Sequence, residues 1–249
     1  MTIIAERFQK IMEIAPSQET AQLLQLLSDD YLDLPRAISS QQYIWQHKDL
    51  GFLGLKWAQG DMQRSFLEHE AQFIRARQHP VFPEFVDIKH HGKTSVLITR
   101  WFEGVSLAQL SKEKRAITFD WLALLEQSLV YCHQHGFNHG DIKPANILIG
   151  KDQVKLINFN NVIKHGECYQ QQALHQNSGF ASLEALSAEG VAKPQQDWYS
   201  LAVTLIASQQ THPAYMANQA RFDTNSNACV PTKYLQIIRQ EYKRVLKHA

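Results

Sequence analysis

The chain has 249 residues, with 25 Lys plus Arg against 24 Asp plus Glu, a formal charge of +1, and 44% hydrophobic residues. That length and apolar content suit one large domain or two lobes, and the near-balanced charge excludes a sequence-wide field that would draw the protein to nucleic acid or an anionic membrane. Cys132, Cys168 and Cys229 are an odd number without CxxC spacing, which argues against a disulfide framework or a zinc site and predicts a reduced, cytoplasmic chain.

In chain order, Ile3, Ile4, Phe8, Ile11 and Met12 recur at helical spacing, and Leu23, Leu24, Leu26 and Leu27 repeat the pattern after Pro16-Ser17. Two short amphipathic helices are expected, forming an N-terminal extension over residues 1–30. Glu6, Arg7 and Lys10 interrupt the start, and no run approaches the roughly 18 apolar residues needed to span a bilayer, so neither an export signal nor a membrane anchor is expected. From Leu32 to Trp57 short β-forming segments break at Ser39-Ser40 and at Gly51, as the start of an antiparallel sheet would. Residues 62–77 return to helical periodicity and stop at His79-Pro80, where proline forbids continuation.

Two strand-like runs follow, Glu84 to Lys89 and Thr94 to Phe102, separated by His91-Gly92-Lys93. After Gly104 helices are predicted from Ser106 to Lys114 and from Asp120 to His135, the second turning Leu122, Leu124, Leu125, Leu129 and Val130 toward a core. Ile147 to Asn158 reads as a hairpin around Gly150-Lys151-Asp152, and a last helix is expected from Tyr234 to His248. The expected fold class is α+β: a small sheet-rich lobe with one helix over 31–103, a mainly helical lobe over 104–249, and a cleft between them.

The densest chemistry lies in His139-Gly140-Asp141-Ile142-Lys143-Pro144-Ala145-Asn146. Phosphoryl transfer needs a carboxylate to orient the acceptor hydroxyl, cations on the phosphates and oxygen ligands for a metal. Asp141, Lys143 and Asn146 offer one of each, and Ile147-Leu148-Ile149 anchors the loop on a strand. The segment resembles the catalytic loop of eukaryotic-type Ser/Thr protein kinases, with Gly140 where many relatives carry arginine. Gly140, and the absence of Ser and Thr between Phe159 and Gln176, argue against loop phosphorylation as the switch.

The resemblance extends along roughly residues 35 to 210. Lys56 in Leu53-Gly54-Leu55-Lys56 resembles the family's phosphate-binding lysine, and Glu70 its helical ion-pair partner. Thr99-Arg100-Trp101 resembles the hinge that contacts adenine, and the resemblance also puts Leu148 in the nucleotide site. Ser182-Leu183-Glu184 resembles the end of the activation segment, whose glutamate wants a buried arginine; Arg239 and Arg244 are the candidates. Asp197-Trp198-Tyr199 resembles the start of the helix beneath the catalytic loop. His133, His135 and His139 lack a carboxylate companion at metal-ligand spacing, so no zinc is assigned.

Two departures bear on mechanism. Where the family carries an aspartate for magnesium, this chain has Asn158, in Ile157-Asn158-Phe159-Asn160; Asn146 and Asn158 would then be the metal ligands, both neutral. Between Leu34 and Gly51 there is no glycine, and Ser39-Ser40-Gln41-Gln42 stands where a glycine-rich phosphate loop belongs.

The resemblance implies an ATP- and Mg2+-dependent protein Ser/Thr kinase-type phosphotransferase, of low activity, acting on a protein substrate and not on nucleic acid or membrane. The departures support a second reading, a pseudokinase that binds nucleotide or regulates a protein partner. A third, a small-molecule kinase of the aminoglycoside or choline type, shares His-Gly-Asp and a downstream Asn but not Lys143-Pro144, Ser182 to Glu184 or Asp197.

Overall fold

The computed structural model describes residues 9–15, 17–117, 119–169, 179–186, 190–209 and 230–248. By internal contacts the chain forms two compact units: residues 1–78 with 83–103, and residues 79–82 with 104–249.

The first unit is built on a five-stranded antiparallel sheet: β1 (Arg36–Ser39), β2 (Gln42–His47), β3 (Gly51–Gln59), β4 (Phe85–His91) and β5 (Thr94–Arg100), in spatial order β1-β2-β3-β5-β4. Side chains alternate across a strand, so β3 has two different faces. Leu53, Leu55 and Trp57 share one face with Tyr43, Trp45, Val96 and Ile98, and Ile11, Ala21, Leu23, Leu24, Leu27 and Tyr31 of the N-terminal segment close over them. Tyr43 stacks on Trp57 with ring centroids 4.0 Å apart, and Tyr31 on Trp45 at 4.2 Å.

That segment is helical over 9–14 and over Gln18–Leu27. Ser17 caps the second helix by accepting the Thr20 amide at 3.1 Å, satisfying one of the donors a helix start leaves open. Glu19 in its first turn accepts the Lys93 amide (2.9 Å) and the Thr94 hydroxyl (3.2 Å), fastening the helix to the β4–β5 turn. Of the expected N-terminal extension, the described residues thus form one wall of the sheet's core.

The other face of β3 carries Gly54 and Lys56, opposite Thr99 and Leu97 of β5. Helix Asp61–Ala76 packs against β3, β4 and β5, burying Leu67, Glu70, Ala71, Phe73 and Ile74. It ends at the extended Arg77, ahead of His79-Pro80.

In the second unit, helices Leu107–Lys112 and Trp121–Gln134 pack on a three-stranded sheet of β6 (Val105–Ser106), β8 (Ile147–Ile149) and β9 (Val154–Leu156), and helices Pro194–Gln209 and Thr232–His248 follow in the chain. A two-stranded pairing joins β7 (Phe137–Asn138) to β10 (Ile163–Lys164). Thr232–His248 packs on Pro194–Gln209 through a face that buries Tyr234, Leu235 and Ile238. Val130 corrects the sequence reading: it is 41% exposed, while Leu125, Ser128, Leu129 and Cys132 take the buried face. One residue past Leu129 is about 100° around the helix, which carries Val130 out of the apolar stripe.

Helix Leu107–Lys112 is capped by Ser106, whose hydroxyl accepts the Gln109 amide at 3.2 Å. Its other end closes with the Lys114 amide on the Ser111 carbonyl (3.1 Å) and the Arg115 amide on the Leu110 carbonyl (2.9 Å), the two bonds of a Schellman motif. Lys114 holds the left-handed position of that motif at φ 53°. Glycine is usual there, and an L-residue carries a penalty of about 1 to 2 kcal/mol.

Candidate active site

The catalytic-loop segment is fixed from beneath by Asp197, in the first turn of Pro194–Gln209 and 1% exposed. Its Oδ2 accepts the His139 amide at 2.8 Å and its Oδ1 the Gly140 amide at 3.0 Å. His133 Nε2 lies 3.0 Å from Oδ2. Burial alone would raise the Asp197 pKa, but the His133 hydrogen bond and charge, the nearby His139 and the Gly140 amide outweigh it and hold the carboxyl below its ordinary value. His139 is fully buried. Its Nδ1 accepts the Asp141 amide at 3.2 Å, so Nε2 carries the proton given to the Ile157 carbonyl at 3.2 Å. Its ring meets Phe159 edge-on at 4.7 Å.

Gly140 has φ 79°, and a Cβ built there would stand 2.3 Å from the carbonyl oxygen of Asn161. The residue where many relatives carry arginine therefore has no room for any side chain in this backbone.

On this platform Asp141 gathers two side chains. Lys143 Nζ lies 2.6 Å from Asp141 Oδ2, and Asn146 Nδ2 donates to both the carbonyl and Oδ2 of Asp141 at 2.8 Å. Both acceptors lack a proton, which fixes the orientation of the Asn146 amide and leaves its Oδ1 facing Asn158. Asn158 donates Nδ2 to that oxygen at 2.6 Å. Asn158 sits at φ 67°, ψ 65°, a region asparagine enters more readily than most residues.

The expected metal pair thus comes together, but through a hydrogen bond rather than as two oxygens turned to one point. Of the nearby acids, Asp141 is neutralised by Lys143, and among the described residues no group of three or more His, Cys, Asp or Glu could hold a metal ion. This donor set does not fit a resident magnesium ion, a hard cation that favours anionic oxygen.

In the first unit Lys56 Nζ lies 2.7 Å from Glu70 Oε2, with Glu70 almost fully buried. The ion pair expected from the sequence is made. Gly54, two residues earlier on the same face, lies against Thr99 and Trp101: a Cβ there would be 3.4 Å from Thr99 Oγ1 and 3.4 Å from Trp101 Cε3. Lys56, Thr99 and Trp101 therefore share one surface. Arg100 is separated from them, pairing in register with Leu53 of the opposite face, with its guanidinium on Glu84 (3.3 Å) and on the Leu50 carbonyl. Leu148 is half-buried in the second unit, between Ser106 and Lys155 in the sheet.

The glycine-free segment is a tight β1–β2 hairpin in which Ser39 pairs with Gln42. The Gln41 amide goes to Ser39 Oγ (3.3 Å) and its carbonyl takes the Trp57 amide (3.0 Å). Glu184, for which an arginine was sought, accepts Gln196 Nε2 on its Oε2 at 3.0 Å; Arg239 is exposed, and the side chain of Arg244 lies outside the described residues. Gln196 also accepts the Tyr169 hydroxyl at 2.6 Å. Sequence reasoning missed Gln196 and His133, whose only signal was their nearness to Asp197 and to the loop. Much of the stretch between Phe159 and Gln176, residues 170–176, lies outside the described residues.

Residues 55–247 match the family described as "Protein kinase domain". The chain belongs to this family. It is 26% identical over 155 residues to the carbon catabolite-derepressing protein kinase of Candida tropicalis, covering 59% of this chain and 24% of that protein. It is 28% identical over 142 residues to calcium/calmodulin-dependent protein kinase type II of Caenorhabditis elegans (53% and 19%). With cyclin-dependent kinase F-4 of Oryza sativa subsp. japonica it shares 30% over 95 residues (36% and 20%). The chain spans about a fifth to a quarter of the length of these curated relatives. The sheet of the first unit and the helices of the second are the elements of the bilobal protein kinase fold, as the sequence led one to expect. No helix among the described residues is long and apolar enough to cross a membrane.

Proposed function

We propose that this chain is an ATP-dependent protein Ser/Thr kinase-type phosphotransferase, cytoplasmic, with a small lobe over 31–103, a large lobe over 104–249 and residues 1–30 as an extension. The observation that carries the reading is the Asp141 carboxylate, held by Lys143 and Asn146 on backbone that Asp197 fixes through two amides. In-line transfer requires little more than such positioning.

Asp141 accepts the hydrogen bond of the substrate hydroxyl and orients its oxygen. As that oxygen bonds the terminal phosphorus, the bond from phosphorus to the bridging oxygen of ADP breaks, and the hydroxyl proton passes to Asp141. Lys143 offsets the charge on the transferring group. Lys56, held by Glu70, takes the phosphates, and Thr99, Trp101 and Leu148 line the base, with Arg100 contributing only backbone. Magnesium carried by the nucleotide would supply charge neutralisation on the phosphates, with Asn146 and Asn158 the residues nearest to hold it.

The hydrogen bond from Asn158 to Asn146 favours a second reading, a pseudokinase that binds nucleotide or a protein partner and transfers little phosphate. Transfer of labelled phosphate from ATP to Ser/Thr peptides separates the two: turnover supports the enzyme, and binding without turnover supports the pseudokinase.

A further inference from the structure

We infer that the C-terminal end of helix Leu107–Lys112 forms a docking pocket for an acidic peptide segment with an apolar anchor, on a partner protein. A hollow of about 380 Å3 opens there, with Leu107, Leu110, Ile117 and Trp121 among its lining and Lys114 and Arg115 beside them. A space of this size accepts one large side chain with its neighbours. Apolar side chains at Ile117 and Trp121, the serines Ser111 and Ser208 and a cationic rim fit a peptide that carries an apolar residue flanked by carboxylates.

The backbone supplies an independent reason to assign a role to Lys114. Lys114 occupies the left-handed position of the Schellman motif at φ 53°, where glycine is the favoured residue. The fold gains nothing locally from a side chain at that position. Among the described residues Lys114 has no ion-pair partner, whereas Arg115 Nη1 lies 3.3 Å from Glu113 Oε2. Strained positions of this kind gather where a side chain is needed for something other than the fold.

A peptide fits better than an anionic lipid surface. Membrane attraction is read from clusters of four to eight Lys or Arg, and here Lys112, Lys114 and Arg115 enclose the acidic Glu113. The pocket is distinct from the Asp141 site but belongs to the same unit, because the helix that ends at it also packs against the Pro144–Asn146 turn. The inference goes beyond the kinase reading and needs no nucleotide.

The test uses the whole chain without ATP and three fluorescein-labelled peptides read by polarisation: Glu-Asp-Glu-Leu-Phe-Glu-Asp-Glu, the same with Gly-Ser for Leu-Phe, and the same with Lys for every acid. The wild type is expected to bind the first in preference to both controls, and more weakly as salt rises. Lys114→Gly is expected to weaken that binding about tenfold, equivalent to about 1.4 kcal/mol, while unfolding within about 2 °C of the wild type or above it. Arg115→Ala, at an exposed side chain, should weaken it similarly. Failure of the wild type to bind the acidic peptide, equal binding of the basic control, or unchanged binding by both variants would overturn the proposal. So would binding to phosphatidylserine vesicles without binding to the peptide. A chain that passes this test and still transfers no phosphate would leave the docking site standing and remove only the enzymatic reading.

Discussion

Asn158 Nδ2 donates to Asn146 Oδ1 at 2.6 Å, so the two residues at which a magnesium-bound nucleotide would be expected are tied to each other. Replacing that donor by a carboxylate would set two acceptor oxygens face to face, an arrangement that only a proton or a cation relieves. Asn158→Asp is expected to tighten magnesium–ADP binding by about tenfold or more and to raise phosphotransfer in proportion. Titration calorimetry with and without magnesium reads the first effect. A variant that binds no better than the wild type would mean the amide pair is not what limits metal affinity.

Gly140 supplies a prediction about the fold. With φ 79° and an added Cβ only 2.3 Å from the Asn161 carbonyl, Gly140→Ala should lower stability by at least about 2 kcal/mol, and Gly140→Arg by more. Urea unfolding measures it. An arginine variant as stable as the wild type would contradict the backbone described for this loop.

Asp197 carries a pH dependence. Its native pKa is lowered, so its contribution to stability is fully present above the unfolded carboxylate value and is lost as pH falls through the lower native one. Asp197→Asn, which can neither accept both loop amides and His133 nor titrate, should be less stable at neutral pH and should show a flatter loss of stability below about pH 4. Chemical denaturation midpoints across that range decide it; parallel curves for both proteins would show that the acid limb arises elsewhere.

The catalytic loop, the lysine and its glutamate partner were legible from sequence because each is a local pattern: eight consecutive residues, one strand, one helix. The antiparallel sheet and the helix Asp61–Ala76 followed from short β-forming segments and from helical periodicity that His79-Pro80 ends; the strand order did not. What was not legible depended on distant pairing. The hydrogen bond from Gln196 to Glu184, the placement of Arg100 on the face opposite Lys56 and the exposure of Val130 are each decided by register or helix phase, which a one-residue shift reverses. The strain at Lys114 is equally invisible in sequence, since nothing in Lys112-Glu113-Lys114-Arg115 marks which residue turns left-handed.

Lys56 and Glu70 allow the nucleotide and acceptor roles to be separated. Lys56→Ala is expected to weaken ATP binding by about tenfold, with Glu70→Gln intermediate because Lys56 loses its partner but keeps its charge. Binding measured by fluorescence of a labelled ATP analogue is the check, and an unaffected affinity in Lys56→Ala would remove the lysine from the phosphates.

The most direct test of phosphotransfer is magnesium-dependent transfer from ATP compared between the wild type and Asp141→Ala, with nucleotide affinity measured on both. Asp141 is proposed to act on the acceptor hydroxyl, so the variant should lose transfer by about a thousandfold or more while its ATP affinity changes less than about threefold. A wild type that transfers phosphate and an Asp141→Ala variant that transfers it equally well would contradict the account.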